Sequence, residues 1–480
     1  MSVGRLTARA AVWAFLATAG SRVITLIGLV LLARLLAPAE FGLIAVALVY
    51  ITYAETIGDL GTGMALVYWP DRRHDAAQVT FIINLVAGVL WCLLTLLLAP
   101  LVADFSNAPA STAIIQILGV SFIVRYLGNT HDALAQKDLR FRARMIPEVA
   151  LALLKAIVAL TLAWFGFGAW SLVWGHLAGL VARTVLLWII VPWRPTLTLP
   201  RDLFGPMLRY GRGIIAVNMI AAVAHHADLV IVARYFNTTA LGLYQMATKI
   251  PETTVIVLLW VVSRVLFPAF SRLHAAGESL RTPYLTATRY VASLTLPAAT
   301  GLMLLAHPIV LVFFGEQWMP AAPILGVLAL HAAARCIGSS GGDVLKATGR
   351  AGLLARLALL KVSIIVPALL FGATRGLLAV AVALACAELV ATSIALTLAT
   401  RILKVRLLTF LRTLIPSVAS CVVMGFALLV YRQLNTDLIP VAQLGFGVAL
   451  GALVYGSTLA ILDRKLIGRV RSHFLASKAT

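Results

Sequence analysis

Along the whole chain, apolar residues run in blocks of about twenty, parted by short segments rich in charge, proline or glycine. A helix rising 1.5 Å per residue needs a block of that length to cross a hydrocarbon core about 30 Å thick. Fourteen such helices are predicted, near 12–33, 41–62, 78–103, 111–130, 148–166, 169–191, 213–233, 244–268, 289–314, 321–340, 353–373, 376–399, 411–431 and 440–462. The ninth contains Pro297 and Pro308, neither of which can donate to the helical ladder. The first exceeds the roughly 7–15 residues of a signal-peptide core and reads as a helix that stays in place. The segments between blocks are too short for a soluble domain.

The polar residues between the blocks orient them. With the N-terminus in the cytoplasm, 26 Lys and Arg fall on cytoplasmic segments, against only Arg34, Arg234, Arg375 and Arg432 on the other side. Losing one helix would scramble that split, which is the asymmetry of the positive-inside rule. Both termini are expected in the cytoplasm. Trp164, Trp170, Trp188 and Trp193 lie at block ends, where an interfacial aromatic belt belongs.

Laying residues 21–51 over 221–251 exposes a match at an offset of 200: Leu29, Val30, Ala33, Arg34, Gly42 and Leu43 recur as Leu229, Val230, Ala233, Arg234, Gly242 and Leu243. Six helices separate the copies, so both enter the membrane in the same direction, the sign of a parallel repeat. The expected organisation is an N-terminal lobe over 1–191, a basic cytoplasmic linker over 192–212, a C-terminal lobe over 213–400, and two further helices with a basic tail over 401–480. Two such lobes can rock about a central site.

Composition agrees with this all-α, polytopic membrane class. Of 480 residues, 61% are hydrophobic and 12% charged, against about 25% charged in soluble domains. The net charge of +21 is spread over the turns instead of a polar domain, so it reads as topology and nucleic acid is set aside as a partner. Cys92, Cys336, Cys386 and Cys421 each lie in an apolar block, without metal or redox spacing, and read as small buried hydrophobes. Metalloprotease, nucleophile-elbow and P-loop motifs are absent. No catalytic residue, metal or cofactor is expected, and the chain is not read as an enzyme. His131-Asp132 reads as a solvated turn.

The remaining basic residues are embedded: Arg22, Arg125, Lys155, Arg183, Lys249, Arg264, Arg335, Arg356 and Lys361, beside the acids Glu55, Asp59, Glu148, Asp228, Glu252 and Glu388. A charge at mid-bilayer costs at least about 2.5–3.5 kcal/mol, so each must snorkel, pair or face a wet cavity. Arg125, Arg183, Arg264, Arg335 and Arg356 lie within snorkelling reach of the cytoplasm, and Arg335 is also a candidate for substrate binding. Arg22, Lys155 and Lys361 sit near the midplane, where they either line a cavity or, for Lys361, pair with Glu388. The excess of cations points to an anionic ligand, phosphate or pyrophosphate above all. His225, His226 and Asp228 share one helix, with His225 and Asp228, three apart, on one face. They are candidates for proton or cation coupling, with Glu55 and Glu388, or else for a structural contact. Glu55 could instead neutralise Arg22.

The segment 32–42, Leu-Ala-Arg-Leu-Leu-Ala-Pro-Ala-Glu-Phe-Gly, then Gly58-Asp59-Leu60-Gly61, Tyr210-Gly211 and Leu241-Gly242-Leu243-Tyr244, resembles the Wzx-like polysaccharide and O-antigen flippases of the multidrug/oligosaccharidyl-lipid/polysaccharide exporter superfamily. The resemblance implies the flipping of an undecaprenyl-pyrophosphate-linked oligosaccharide across a bacterial inner membrane, for lipopolysaccharide or exopolysaccharide biosynthesis. It implies a cationic central cavity, to which Arg22 and Lys249 are carried over, and use of an ion gradient. A polysaccharide polymerase and chain-length machinery are the partners it suggests, besides membrane lipids. The alternatives are a small-molecule exporter of the same superfamily, or a membrane-embedded glycosyltransferase or polymerase.

Overall fold

Helices make up every regular element among the described residues. The structure is a computed structural model. It describes residues 20–58, 60–69, 71–138, 140–196, 200–434 and 439–463, with the backbone alone at 141, 212–214, 216–217, 258–265, 267 and 351. Asp59, the side chain of Arg264 and the basic residues of both termini lie outside that set. By packing, the chain forms two units, Met1–Gln245 and Met246–Thr480.

The first unit holds α1 (20–35), α2 (Pro38–Gly58), the short α3 (Thr62–Tyr68), α4 (Arg73–Phe105), α5 (Ser111–Lys137), α6 (Phe141–Trp164), α7 (Ala169–Ile190) and α8 (Arg201–Tyr235). Its polarity is that of a protein dissolved in lipid. Outward-facing Leu97 is 73% exposed, whereas Gln78, Thr80, Asn84, Ser121 and Thr130 are buried. Water cannot satisfy polar groups inside a bilayer, so they turn inward and bond each other: Thr62 Oγ1 donates to Asn84 Oδ1 (3.2 Å) and Asn84 Nδ2 to Thr130 Oγ1 (3.5 Å). α5 packs against α2, α3, α4 and α7, and α8 lies along α2, α3 and α4. A core of Leu66, Ala77, Val79, Leu134 and Met207, walled by Trp69 and Trp193, closes the end of the unit where the basic segments gather; this is called the basic end below.

At the opposite end the two copies of the repeated turn meet. A Cβ placed on Gly42 would stand 1.8 Å from the Thr238 carbonyl oxygen, and one on Gly242 1.9 Å from that of Pro38. Backbone meets backbone in both directions, so only glycine fits at either site. The contact is reciprocal.

The second unit holds most of α9 (Thr238–Ala275), then α10 (Arg281–Leu304), α11 (Ala306–Phe313), α12 (Ala321–Ala347), α13 (Ala351–Ala373), α14 (Leu377–Ile402), α15 (Leu407–Leu434) and α16 (Pro440–Leu462). α10 packs against α12 and α15, and α13 with α14 and α15 with α16 form hairpins. Small residues of α12, Ala329, Ala332, Ala333 and Cys336, seat it against Val255, Val291 and Ala299. Tyr455 donates its hydroxyl to the Ser293 carbonyl (2.8 Å), and Tyr284 stacks on Phe410. Outside, Phe426 and Leu453 face away, 71% and 72% exposed.

Among the described residues a helix coincides with each predicted block, the part of the first before residue 20 lying outside them, with four departures. Ten helices among the described residues are long and apolar enough to span a membrane, or eleven with α10 and α11 as one span bent by 72°. The other three blocks correspond to 20–35, α8 and α9. The bend interrupts the ninth block at Leu305, where Pro308 in the first turn of α11 removes a donor the straight helix would need. Residues 201–212, expected in a linker, are instead the first turns of α8, a helix about 53 Å long at 1.5 Å per residue. His131 and Asp132 belong to α5 rather than to a turn. Lastly, Cys386 is exposed on α14 while the other three cysteines are buried. It shares a face with outward-turned Val382, Leu389 and Val390, where a thiol is a small apolar group like its neighbours.

Candidate functional site

Helical periodicity builds a polar cavity into the basic half of the first unit. Thr52, Glu55 and Thr56 lie on one face of α2; Arg125, Asn129, Asp132 and Gln136 on one face of α5; and Asn218, Ala222 and His226 on one face of α8. Spacings of three and four residues bring each set to one side of its helix. With Gly63 and Met64 of α3 and Arg183 of α7 they enclose about 500 Å³.

The charges on its wall are engaged with one another. Glu55 Oε1 lies 3.0 Å from Arg125 Nη1. Asp132 accepts two hydrogen bonds from Arg144, at 2.9 and 3.0 Å, and Arg183 Nη2 stands 3.6 Å from Asp132 Oδ2 while Arg183 donates to Glu148 at 2.7 Å. Such forked carboxylate–guanidinium geometry fixes both side chains. The wall therefore carries two acids against two arginines, and the excess of embedded cations is not gathered here. Unlike the ionic groups, the carboxamides of Asn129, Gln136 and Asn218 make no hydrogen bond to any described residue.

Of the residues singled out from sequence, Glu55 is on the cavity wall. Its partner is Arg125 rather than Arg22. Arg22 is half-buried on α1 and has no carboxylate within 4.0 Å among the described residues, and Lys155 is half-buried on α6 where that helix backs onto Gly175 and Gly179 of α7. Neither lines the cavity. Asp228 is buried and accepts from the Tyr244 hydroxyl (3.1 Å), and His225 is exposed. Of the α8 trio, His226 is on the cavity wall, edge-on to Tyr53. In the second unit, Lys361 donates to Glu388 at 2.8 Å, and Lys249 is paired within its own helix to Glu252 at 2.9 Å. Arg335 is half-buried on α12, with no carboxylate within 4.0 Å among the described residues. Among the described residues no group of three His, Cys, Asp or Glu is placed to hold a metal ion.

Sequence reasoning took Arg125 and Arg183 as snorkelling and Asp132 as part of a turn, and passed over the three carboxamides. Their signal was the stripe Arg125-Asn129-Asp132-Gln136 at steps of four, three and four. The predicted helix stopped at 130, in the middle of that stripe.

Comparison with known proteins places the chain. A family model described as polysaccharide biosynthesis protein matches residues 31–323. The lipopolysaccharide biosynthesis protein WzxC of Escherichia coli is 27% identical over 374 residues, 78% of this chain and 76% of that one. The succinoglycan biosynthesis transport protein ExoT of Rhizobium meliloti is 26% identical over 463 residues, 95% and 93% of the two chains. Among solved structures, the lipid II flippase MurJ in an inward closed conformation superposes with a TM-score of 0.77 at 15% identity, covering 95% of this chain and all of that one. An inward-facing multidrug transporter of the MATE family gives 0.67 at 13% identity, covering 82% and 94%. At those identities the likeness is one of fold. The chain is a multi-pass membrane protein, and it belongs to the polysaccharide biosynthesis protein family, the Wzx-like polysaccharide flippases.

Proposed function

We propose that this protein flips an undecaprenyl-pyrophosphate-linked oligosaccharide from the inner to the outer leaflet of a bacterial inner membrane, for lipopolysaccharide or exopolysaccharide assembly. The observation that carries the reading is the polar cavity, closed in by helices whose other faces are apolar, in a chain of this family. A sugar head cannot cross hydrocarbon without leaving its hydroxyls unpaired, at several kcal/mol apiece. A cavity walled by amides, hydroxyls and paired charges removes most of that cost while the lipid tail stays in the bilayer. The relative named as a succinoglycan biosynthesis transport protein supports transport over sugar transfer.

On this reading the two repeats rock about the substrate, with both termini and the basic end in the cytoplasm. The pyrophosphate is met by cations whose charge is not already spent on a carboxylate, Arg22 and Arg335 among them, while Lys361 holds Glu388 in place. A strain lacking the gene should make no surface polymer and should accumulate the lipid-linked oligosaccharide. The wild-type gene should restore export, and Arg22→Gln with Arg335→Gln should lower it at least tenfold at normal membrane levels. Full export in the deletion strain would overturn the reading.

A further inference from the structure

On the cavity wall every guanidinium shares a carboxylate, but three carboxamides make no hydrogen bond to any described residue: Asn129 and Gln136 of α5 and Asn218 of α8. Each offers two N–H donors and a carbonyl acceptor. For an entering anion the attraction of Arg125 and Arg183 is offset by Glu55 and Asp132 at ion-pair distance from them. An uncharged polyol meets no such opposition, and it donates and accepts hydrogen bonds as a carboxamide does. The enclosed volume of about 500 Å³ falls in the roughly 300–1,000 Å³ range of sites for molecules the size of a disaccharide.

We infer that this cavity receives uncharged sugar residues of the carried glycan, held by the side-chain amides of Asn129, Gln136 and Asn218, and that the pyrophosphate binds elsewhere. The inference rests on the flippase reading and specifies which part of the substrate this site selects. It makes α5 and α8 the elements that discriminate among glycans, and leaves the lipid diphosphate common to all substrates to other residues.

The test uses the full-length protein in nanodiscs and two probes: sugar-free undecaprenyl pyrophosphate, and the lipid-linked oligosaccharide extracted from a producing strain that lacks this gene. Asn129→Ala and Asn218→Ala should each weaken binding of the glycan-bearing lipid about 2- to 10-fold, the loss of one neutral hydrogen bond. The dissociation constant of the sugar-free lipid should move less than about twofold, within the spread of such differences. Equal losses for both probes would make the cavity a diphosphate site and overturn the inference, as would no loss for either. Asn218 is exposed at the wall, so its variant carries the test should Asn129→Ala fail to fold. Wild-type protein that does not bind the glycan-bearing lipid sinks the flippase reading itself; wild-type binding with unaffected variants sinks only the assignment of this cavity.

Discussion

Glu55 and Arg125 show how a membrane protein keeps charges at depth: the carboxylate is mostly enclosed, the guanidinium 41% exposed, and the two are 3.0 Å apart. Removing either leaves the other unbalanced on the cavity wall. A cycle of Glu55→Gln, Arg125→Gln and the double variant should give a coupling of about 1 kcal/mol by thermal unfolding, the upper end for a pair open to water on one side. A second pair is placed at the basic end, outside the spans. The hydrogen bond from Arg72, and then its charge, hold the Asp202 carboxyl below its usual range, and Arg72 is raised in turn. A depressed carboxyl stabilises the fold above its unfolded pKa, about 3.9, and the contribution is lost as pH falls through the folded value. The stability gap between wild type and Asp202→Asn should thus hold steady at neutral pH and close below about pH 4. A gap that persists in acid would show that Asp202 acts through something other than its charge. At this scale the sequence was legible only in part. Lys361 and Glu388 were paired from depth alone, because both lie mid-span on consecutive helices. The hydrogen bond from Tyr244 to Asp228 was not legible, because three-residue spacing says which residues share a helix face and not which neighbour that face meets.

Elements were the most legible level, since a twenty-residue apolar block has few other meanings. Where the reading departs from the structure, polar residues lie in helices all the same: Arg201–Arg212 opens α8, and Asp132 with Gln136 extends α5 beyond its apolar part. Hydropathy finds the portion of a helix that meets lipid; the mostly exposed opening of α8 and the cavity-facing Asp132 and Gln136 of α5 carry no such signal. The pairing of α2 with the start of α9 gives a sharper expectation. Gly42→Ala and Gly242→Ala each thrust a methyl within 2 Å of a carbonyl oxygen, which should cost about 1–3 kcal/mol as overpacking. Because one separation of the two turns relieves both clashes, the double variant should cost little more than the worse single one. Thermal unfolding of the three variants decides it, and additive losses would show that the two glycines act independently.

For the whole molecule, the charge asymmetry of the turns fixes an expectation that a reporter can check. Fusions at Pro195 should be active only with a cytoplasmic reporter, and fusions at Pro109 and Asn237 only with an extracytoplasmic one. Agreement on one side alone would mean that α8 or α9 does not cross. The repeat, by contrast, was visible in sequence only as a spacing of 200 residues, and the structure adds that its two turns touch. That self-contact has the character of a handshake between twins, as in a dimer built on a twofold axis, where any change is presented to its own counterpart. One copy of such a turn cannot drift freely: a bulkier residue is rejected by the other copy's backbone, whichever half it arises in. The lineage leading to this chain could diversify the helices that face its cargo, but not the two glycines at which these turns touch.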